Sequence, residues 1–242
     1  MGISVMRRET KLRMRTSASA IWVLVLLLSG TACDSPLGDV ASKAICTFLY
    51  EPFRIPSGGM APTLYIGDHI FVSKSAYGSR EPMRGEIVAF HIGRPNGQIV
   101  PADKSPGAPT QTFIKRIIGI PGDEVEWAAG RLLLNGVVVP ELATERKFKT
   151  YEGKLVPIFE TRIGEVDYEI LRETDRPRLD VPMTKVPPER YFVVGDFRTS
   201  SNDSRYWGTV HRSDLIGPAV YRYYVGDAES GEYVWEDVGL AP

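Results

Sequence analysis

A few polar residues stand where their chemistry depends on their surroundings. Ser57 heads the segment Ser57-Gly58-Gly59-Met60, and Lys115 lies inside the apolar run Phe113-Ile114-Lys115-Arg116-Ile117-Ile118. Ser201, Asp203 and Arg205 cluster in the polar segment Gly195 to Gly208. A lysine titrating near 10.4 in water cannot take up a proton at neutral pH, so it acts as a base only where burial lowers its pKa to roughly 7–8. Taken alone, Lys115 reads as a strand lysine facing water, because lysine is seldom buried. His69, His91 and His211 are scattered, and Cys33 and Cys46 have neither zinc spacing nor a disulfide framework. No metal site is expected.

Three segments between about Phe48 and Tyr224 resemble the bacterial type I signal peptidases, and they occur in family order. The first is Glu51-Pro52-Phe53-Arg54 with the loop Ser57 to Leu64 and Gly67-Asp68. The second is Phe113 to Asp123, and the third is Gly195 to Gly208. The resemblance implies a mostly β fold: a signal peptidase-like antiparallel β-sheet body with a β-rich insertion, a serine/lysine-dyad endopeptidase site and no cofactor. It makes Lys115 the general base and gives Ser57 an oxyanion-hole hydroxyl beside the backbone N–H of Gly59. It also has Ser201 hydrogen-bonding the lysine amine, with Asp203 and Arg205 forming a supporting ion pair. The implied substrates are signal peptides of exported preproteins, with small side chains preferred before the cut.

The sequence departs from the family at three positions. Phe197 stands where the family usually has asparagine and Thr199 where it usually has aspartate, so the local hydrogen-bond network must differ, since Phe197 neither donates nor accepts. The third departure is Gly59, which occupies the nucleophile position directly before Met60. Glycine keeps the backbone N–H and has no attacking oxygen. Loss of a serine nucleophile costs on the order of 10⁶ in turnover, so ordinary peptidase activity is expected to be close to absent. Ser57 could substitute only if the loop slips, because in extended backbone it points to the same side as residue 59 but lies roughly 6–7 Å along the chain. Gly58 and Gly59 widen the conformational space for such a slip.

Two functions follow from the resemblance: a membrane-anchored peptidase processing exported preproteins, or a catalytically inactive homologue that binds signal peptides or a membrane partner. A repressor-type autoprotease would need a DNA-binding N-terminal domain and an attacking serine, and the sequence shows neither. A net charge of −1 without a long basic run leaves no electrostatic footprint for nucleic acid.

The N-terminus reads as a membrane address, with Arg7, Arg8, Lys11, Arg13 and Arg15 preceding the apolar core Ala18 to Leu28. Positive charge there keeps that end in the cytoplasm, placing the body on the outer face of the bacterial cytoplasmic membrane, in contact with lipid. The uncharged stretch Ser17 to Ala32 falls short of the roughly 18–20 residues of a comfortable span. Leu28 to Cys33 resembles a lipoprotein box, with Gly30 departing from the usual pattern. Three outcomes stay open: a lipoprotein anchor acylated at Cys33, a retained single-pass anchor, and a cleaved soluble protein. Cys46, in Ala44 to Tyr50, reads as a buried small hydrophobe.

Positioning these residues requires a β scaffold, and 43% apolar residues over 242 suffice to bury its core. Strands are expected at Asp68 to Lys74, Gly85 to Phe90, Thr112 to Ile120, Tyr191 to Asp196 and Leu215 to Val225. Arg94 to Gln111, dense in proline and glycine, reads as a loop. Asn135-Gly136 between apolar runs predicts a two-stranded hairpin ribbon. Residues 1–39 are read as the anchor, 40–139 and 189–226 as the catalytic-type β domain, 140–188 as a charged, more solvated insertion, and 227–242 as a C-terminal tail.

Overall fold

The computed structural model describes residues 49–224 together with 236 and 237, so the anchor segment, Cys33, Cys46 and most of the C-terminal tail lie outside the described residues. Among those described, no helix is long and apolar enough to cross a membrane. The fold is mostly antiparallel β, as the sequence implies.

The chain begins with β1 (Tyr50–Arg54), β2 (His69–Ser73), β3 (Ile87–Gly93), the two-residue β4 (Val100–Pro101) and β5 (Thr110–Gly119). It continues through β6 (Glu124–Ala128), β7 (Arg131–Leu134) and β8 (Val137–Val138) into β9 (Glu141–Lys149), β10 (Leu155–Ile163), β11 (Val166–Leu171) and β12 (Val181–Lys185). It returns with β13 (Arg190–Val194), β14 (Val210–His211), β15 (Leu215–Tyr224) and β16 (Glu236–Asp237). Two four-residue helices, α1 (Ala76–Ser79) and α2 (Ser204–Trp207), are the longest helical pieces described.

The main sheet runs β1-β2-β15-β3-β5-β13-β14, with β16 on β15 and β4 on β3. Its strands carry Ile, Val and Phe buried on both faces near the centre, as in Ile87, Val88, Ala89 and Phe90 of β3. Such runs suit a strand covered on both sides rather than a half-solvated one. Gly217 of β15 lies so close to β2 that a Cβ there would fall 1.8 Å from the Ser73 carbonyl oxygen.

Two smaller sheets differ in detail from the sequence reading. Asn135 and Gly136 take the positive φ values, 54° and 77°, of a type I′ hairpin turn joining β7 to β8. That hairpin is not an isolated ribbon, because β6 pairs with β7 and β12 returns to pair with β6. Residues of the charged 140–188 stretch form the sheet β11-β10-β9, with some apolar positions buried and others, such as Leu142 and Leu155, exposed. Phe159, Ile163, Tyr168 and Ile170 join Trp127, Leu132, Phe192 and Val194 in one core. The alternation of strand side chains separates the charged face from this buried one. The Arg94 to Gln111 loop contains two 3₁₀ turns and β4, and β5 starts at Thr110, two residues earlier than the apolar pattern indicates.

Candidate active site

Three chain segments meet at Lys115. β5 enters from an exposed end at Thr110 and Gln111 and becomes buried from Lys115 onward, because β3 pairs with Thr110 to Arg116 while β13 covers the other side only from Arg116 to Gly119. Lys115 is 7% exposed, its Nζ donates to the Ile114 carbonyl at 3.0 Å, and the Phe113 ring centroid lies 5.6 Å away. Burial pushes the Lys115 ammonium below its ordinary value, Asp203 and Asp196 oppose that shift, and Arg205 adds to it. A lysine held this way is easier to deprotonate near neutral pH than one in water.

This has a consequence for stability. With its folded-state pKa lowered, Lys115 binds fewer protons in the native than in the unfolded chain between that value and 10.5, so stability rises with pH through the window. Lys115→Met removes the cost of burying the charge. The variant is expected to be the more stable at neutral pH, with the difference closing as pH approaches the lysine value of the unfolded chain. Urea unfolding of both proteins across that range measures it, and a pH-independent difference would contradict the assignment.

The second segment is the loop after β1. Ser57 is extended (φ −146°, ψ 157°), but Gly58–Met60 forms a 3₁₀ turn closed by the Ala61 N–H donating to the Gly58 carbonyl. Ser57 and Gly59 therefore do not share the strand-like geometry expected from sequence, because the turn intervenes. Ser57 is exposed and its hydroxyl makes no capping bond. Gly59 is buried, and a Cβ built on it would lie 3.4 Å from Lys115 Nζ, 3.6 Å from the Ser200 carbonyl oxygen and 3.7 Å from Ser201 Oγ. The missing side chain thus points at the lysine amine.

The third segment follows β13. Gly195 packs so tightly that a Cβ would fall 2.2 Å from Ser201 Oγ and 2.4 Å from the Gly59 carbonyl oxygen. Phe197 N–H donates to that same Gly59 carbonyl at 3.2 Å. Asp203 caps α2 and pairs through two oxygens with Arg205 at 2.7 Å each, while accepting from the Gly195 N–H at 3.0 Å. Ser201 Oγ is buried next to the site, yet it has no hydrogen-bond partner, so the bond to the lysine amine expected from sequence is not made. Lys115 turns to the Ile114 carbonyl instead.

At the two remaining departures, the side chains have other duties. Phe197 is buried with Ala61, Val156, Ile158 and Leu171, so its side chain adds packing to the backbone hydrogen bonds by which Asp196 and Arg198 join the loop to Leu171 of β11. Thr199 Oγ1 accepts from the Glu173 N–H at 3.1 Å.

Sequence reasoning missed a pair that holds these segments together. Arg116, adjacent to Lys115, donates to Asp196 at 2.9 and 2.7 Å and to the Gly85 carbonyl at 2.6 Å, and both side chains are 1% exposed. Thr63, on the Gly59 loop, donates to the same carboxylate. An arginine in an apolar strand and an aspartate closing another, of opposite sign and both in apolar company, were the available signal.

Ser57, Met60 and Lys115 line an open cleft of about 510 Å³ together with Phe53, Phe113 and Ile114. No group of three or more His, Cys, Asp or Glu side chains that could hold a metal occurs among the described residues.

This lysine-centred site sits on an antiparallel β body, and the chain belongs to the family described as signal peptidase, peptidase S26, matching it over residues 38–224. It is 38% identical over 196 residues to Signal peptidase I of Pseudomonas aeruginosa, covering 79% of this chain and 67% of that one. Against the Probable signal peptidase I-2 of Synechocystis sp. it is 32% identical over 249 residues, covering 97% of this chain and 94% of its relative. A solved signal peptidase I from Enterococcus faecalis V583 aligns with 57% of this chain and 97% of its own, at 25% identity and a TM-score of 0.31.

Proposed function

We propose that this protein binds the signal peptides of exported preproteins at the outer face of the bacterial cytoplasmic membrane and does not hydrolyse them. One observation carries this: the position facing Lys115 Nζ at 3.4 Å is a hypothetical Cβ on a glycine, so a base of lowered pKa has no hydroxyl to activate there. Acyl transfer by a serine/lysine dyad needs an oxygen whose proton the amine removes during attack. Without that oxygen, only binding and carbonyl polarisation remain.

Binding has its own support. On the side of β5 that meets β13 farther along, residues 110–115 have no strand neighbour among the described residues, and this stretch borders the cleft. An extended peptide can add to such an edge through main-chain hydrogen bonds, with alternate side chains entering the cleft. The Gly59 N–H, Ser57 hydroxyl and Lys115 amine then lie along the bound backbone. The basic and apolar segment before Cys33, as a lipid anchor or a membrane helix, would hold this cleft near its substrates.

Hydrolysis through Ser57 is the second reading, and it is favoured by Ser57 and Lys115 lining the same cleft with the Ser57 hydroxyl exposed. The test is to incubate the full chain with a fluorescent synthetic signal peptide, following anisotropy for binding and mass for cleavage. Saturable binding without product is expected. Product that disappears in Ser57→Ala would establish the second reading, and absence of binding would remove the first.

A further inference from the structure

A second cavity, of about 370 Å³, lies between the segment after β11 and the loop that carries Ser201. Five arginines line it, Arg172, Arg176, Arg178, Arg198 and Arg205, against two glutamates, Glu141 and Glu173. Both carboxylates are ion-paired, although Glu141 Oε2 and Glu173 Oε2 are buried without a hydrogen-bond partner. Glu141 pairs with Arg172 at 3.3 Å, and Glu173 pairs with Lys154 at 2.6 Å and Arg176 at 2.5 Å. Arg205 is held by Asp203.

Two guanidinium groups are left without a carboxylate among the described residues. Arg198 is 6% exposed, the one hydrogen bond of its guanidinium among the described residues runs from Nη2 to the Tyr168 hydroxyl at 2.7 Å, and its buried Nε has no partner. Arg178 is exposed at the cavity, its stem laid against Gly130, where a Cβ would fall 3.1 Å from that of Arg178. The buried Nε of Arg172 is unpartnered as well. Leaving a nine-tenths buried guanidinium without a counter-charge is costly unless an anion supplies one. Thr199, where relatives of the resemblance carry an acid, lies on the same wall and brings no charge of its own.

We propose that this cavity binds a phosphate-type oxyanion. A tetrahedral group with several charged oxygens can meet Arg198, Arg172 and Arg178 together, each through a charge-assisted hydrogen bond, whereas a carboxylate offers only two oxygens. Arg198 and Thr199 belong to the loop whose Phe197 N–H holds the Gly59 carbonyl, so the occupant also steadies the wall of the candidate active site. The site stands whether or not Gly59 has abolished hydrolysis, because Arg172, Arg178 and Arg198 have no part in that chemistry, and of the lining residues only Arg205 is shared with the support of Lys115.

The test uses the full chain in a neutral detergent. Inorganic phosphate, compared with sodium chloride at equal ionic strength, is expected to raise the thermal unfolding midpoint saturably. Arg178→Ala, at an exposed position, should raise the half-saturating phosphate concentration about tenfold, and Arg198→Met should remove the response. Glycerophosphoglycerol, a soluble phosphodiester headgroup, separates the sources. Saturation by it at no higher concentration than by phosphate identifies a lipid headgroup, and a response to phosphate alone identifies free phosphate or a phosphomonoester. No response to either probe, or equal responses in the parent and both variants, overturns the proposal.

Discussion

Gly59→Ser is expected to cleave signal peptides faster than the parent, with a gain of up to on the order of 10⁶ in turnover. The geometry favours the substitution at each step. Gly59 is not among the positive-φ glycines, so serine adopts this backbone without strain. A Cβ there meets its nearest neighbours at 3.4 Å or more, ordinary contact distance. An Oγ one bond beyond that Cβ comes within hydrogen-bond reach of Lys115 Nζ. Burial keeps the amine easier to deprotonate, so cleavage should fall as pH drops below the folded-state value of Lys115 and be abolished in Gly59→Ser/Lys115→Ala. Gly59→Ala serves as the inert control. Equal cleavage by parent and Gly59→Ser would mean that the nucleophile lies elsewhere. No cleavage by either would mean that more than the serine has been lost, and the unpartnered Ser201 Oγ is the first place to look.

The largest stability effect is expected at Asp196. Asp196→Ala leaves the Arg116 guanidinium, itself 1% exposed, with the Gly85 carbonyl, the Thr63 hydroxyl and the Tyr168 ring but no counter-charge. Removing one partner of a buried pair costs about 3–5 kcal/mol, because an uncompensated charge stays buried. The double variant Arg116→Met/Asp196→Leu should recover most of that loss, since the penalty comes from the orphaned charge and not from an absent attraction. Chemical denaturation of the parent, Arg116→Met, Asp196→Leu and the double variant gives the cycle. Additive losses would show that the pair is not energetically coupled. Asp196 also joins Thr63 of the Gly59 loop to Arg116 beside Lys115, so the same variant introduced into Gly59→Ser should lose activity beyond its loss of folded protein.

What could be read from the sequence followed from locality. The type I′ turn at Asn135-Gly136 is specified by two adjacent residues, and the strands at β2, β3 and β13 by short apolar runs. The pairing of β12 with β6 joins residues 54 to 61 positions apart, and no local pattern announces it. The charged composition of 140–188 averages the two faces of its strands, which the structure separates into buried positions such as Phe159 and Ile170 and exposed ones such as Leu142 and Leu155.

At the site, the same division holds. The sequence by itself determined that residue 59 has no attacking oxygen, since that is a matter of covalent identity. It also determined that Asp203 and Arg205, two residues apart, could pair. Only the tertiary structure decided that Lys115 is buried, that Gly59 faces its amine, that Ser201 Oγ goes unpartnered, and that Arg116 finds Asp196 eighty residues away. Burial and long-range electrostatics are properties of the assembled chain. A lysine acquires its pKa, and an arginine its counter-charge, only when distant segments remove them from water.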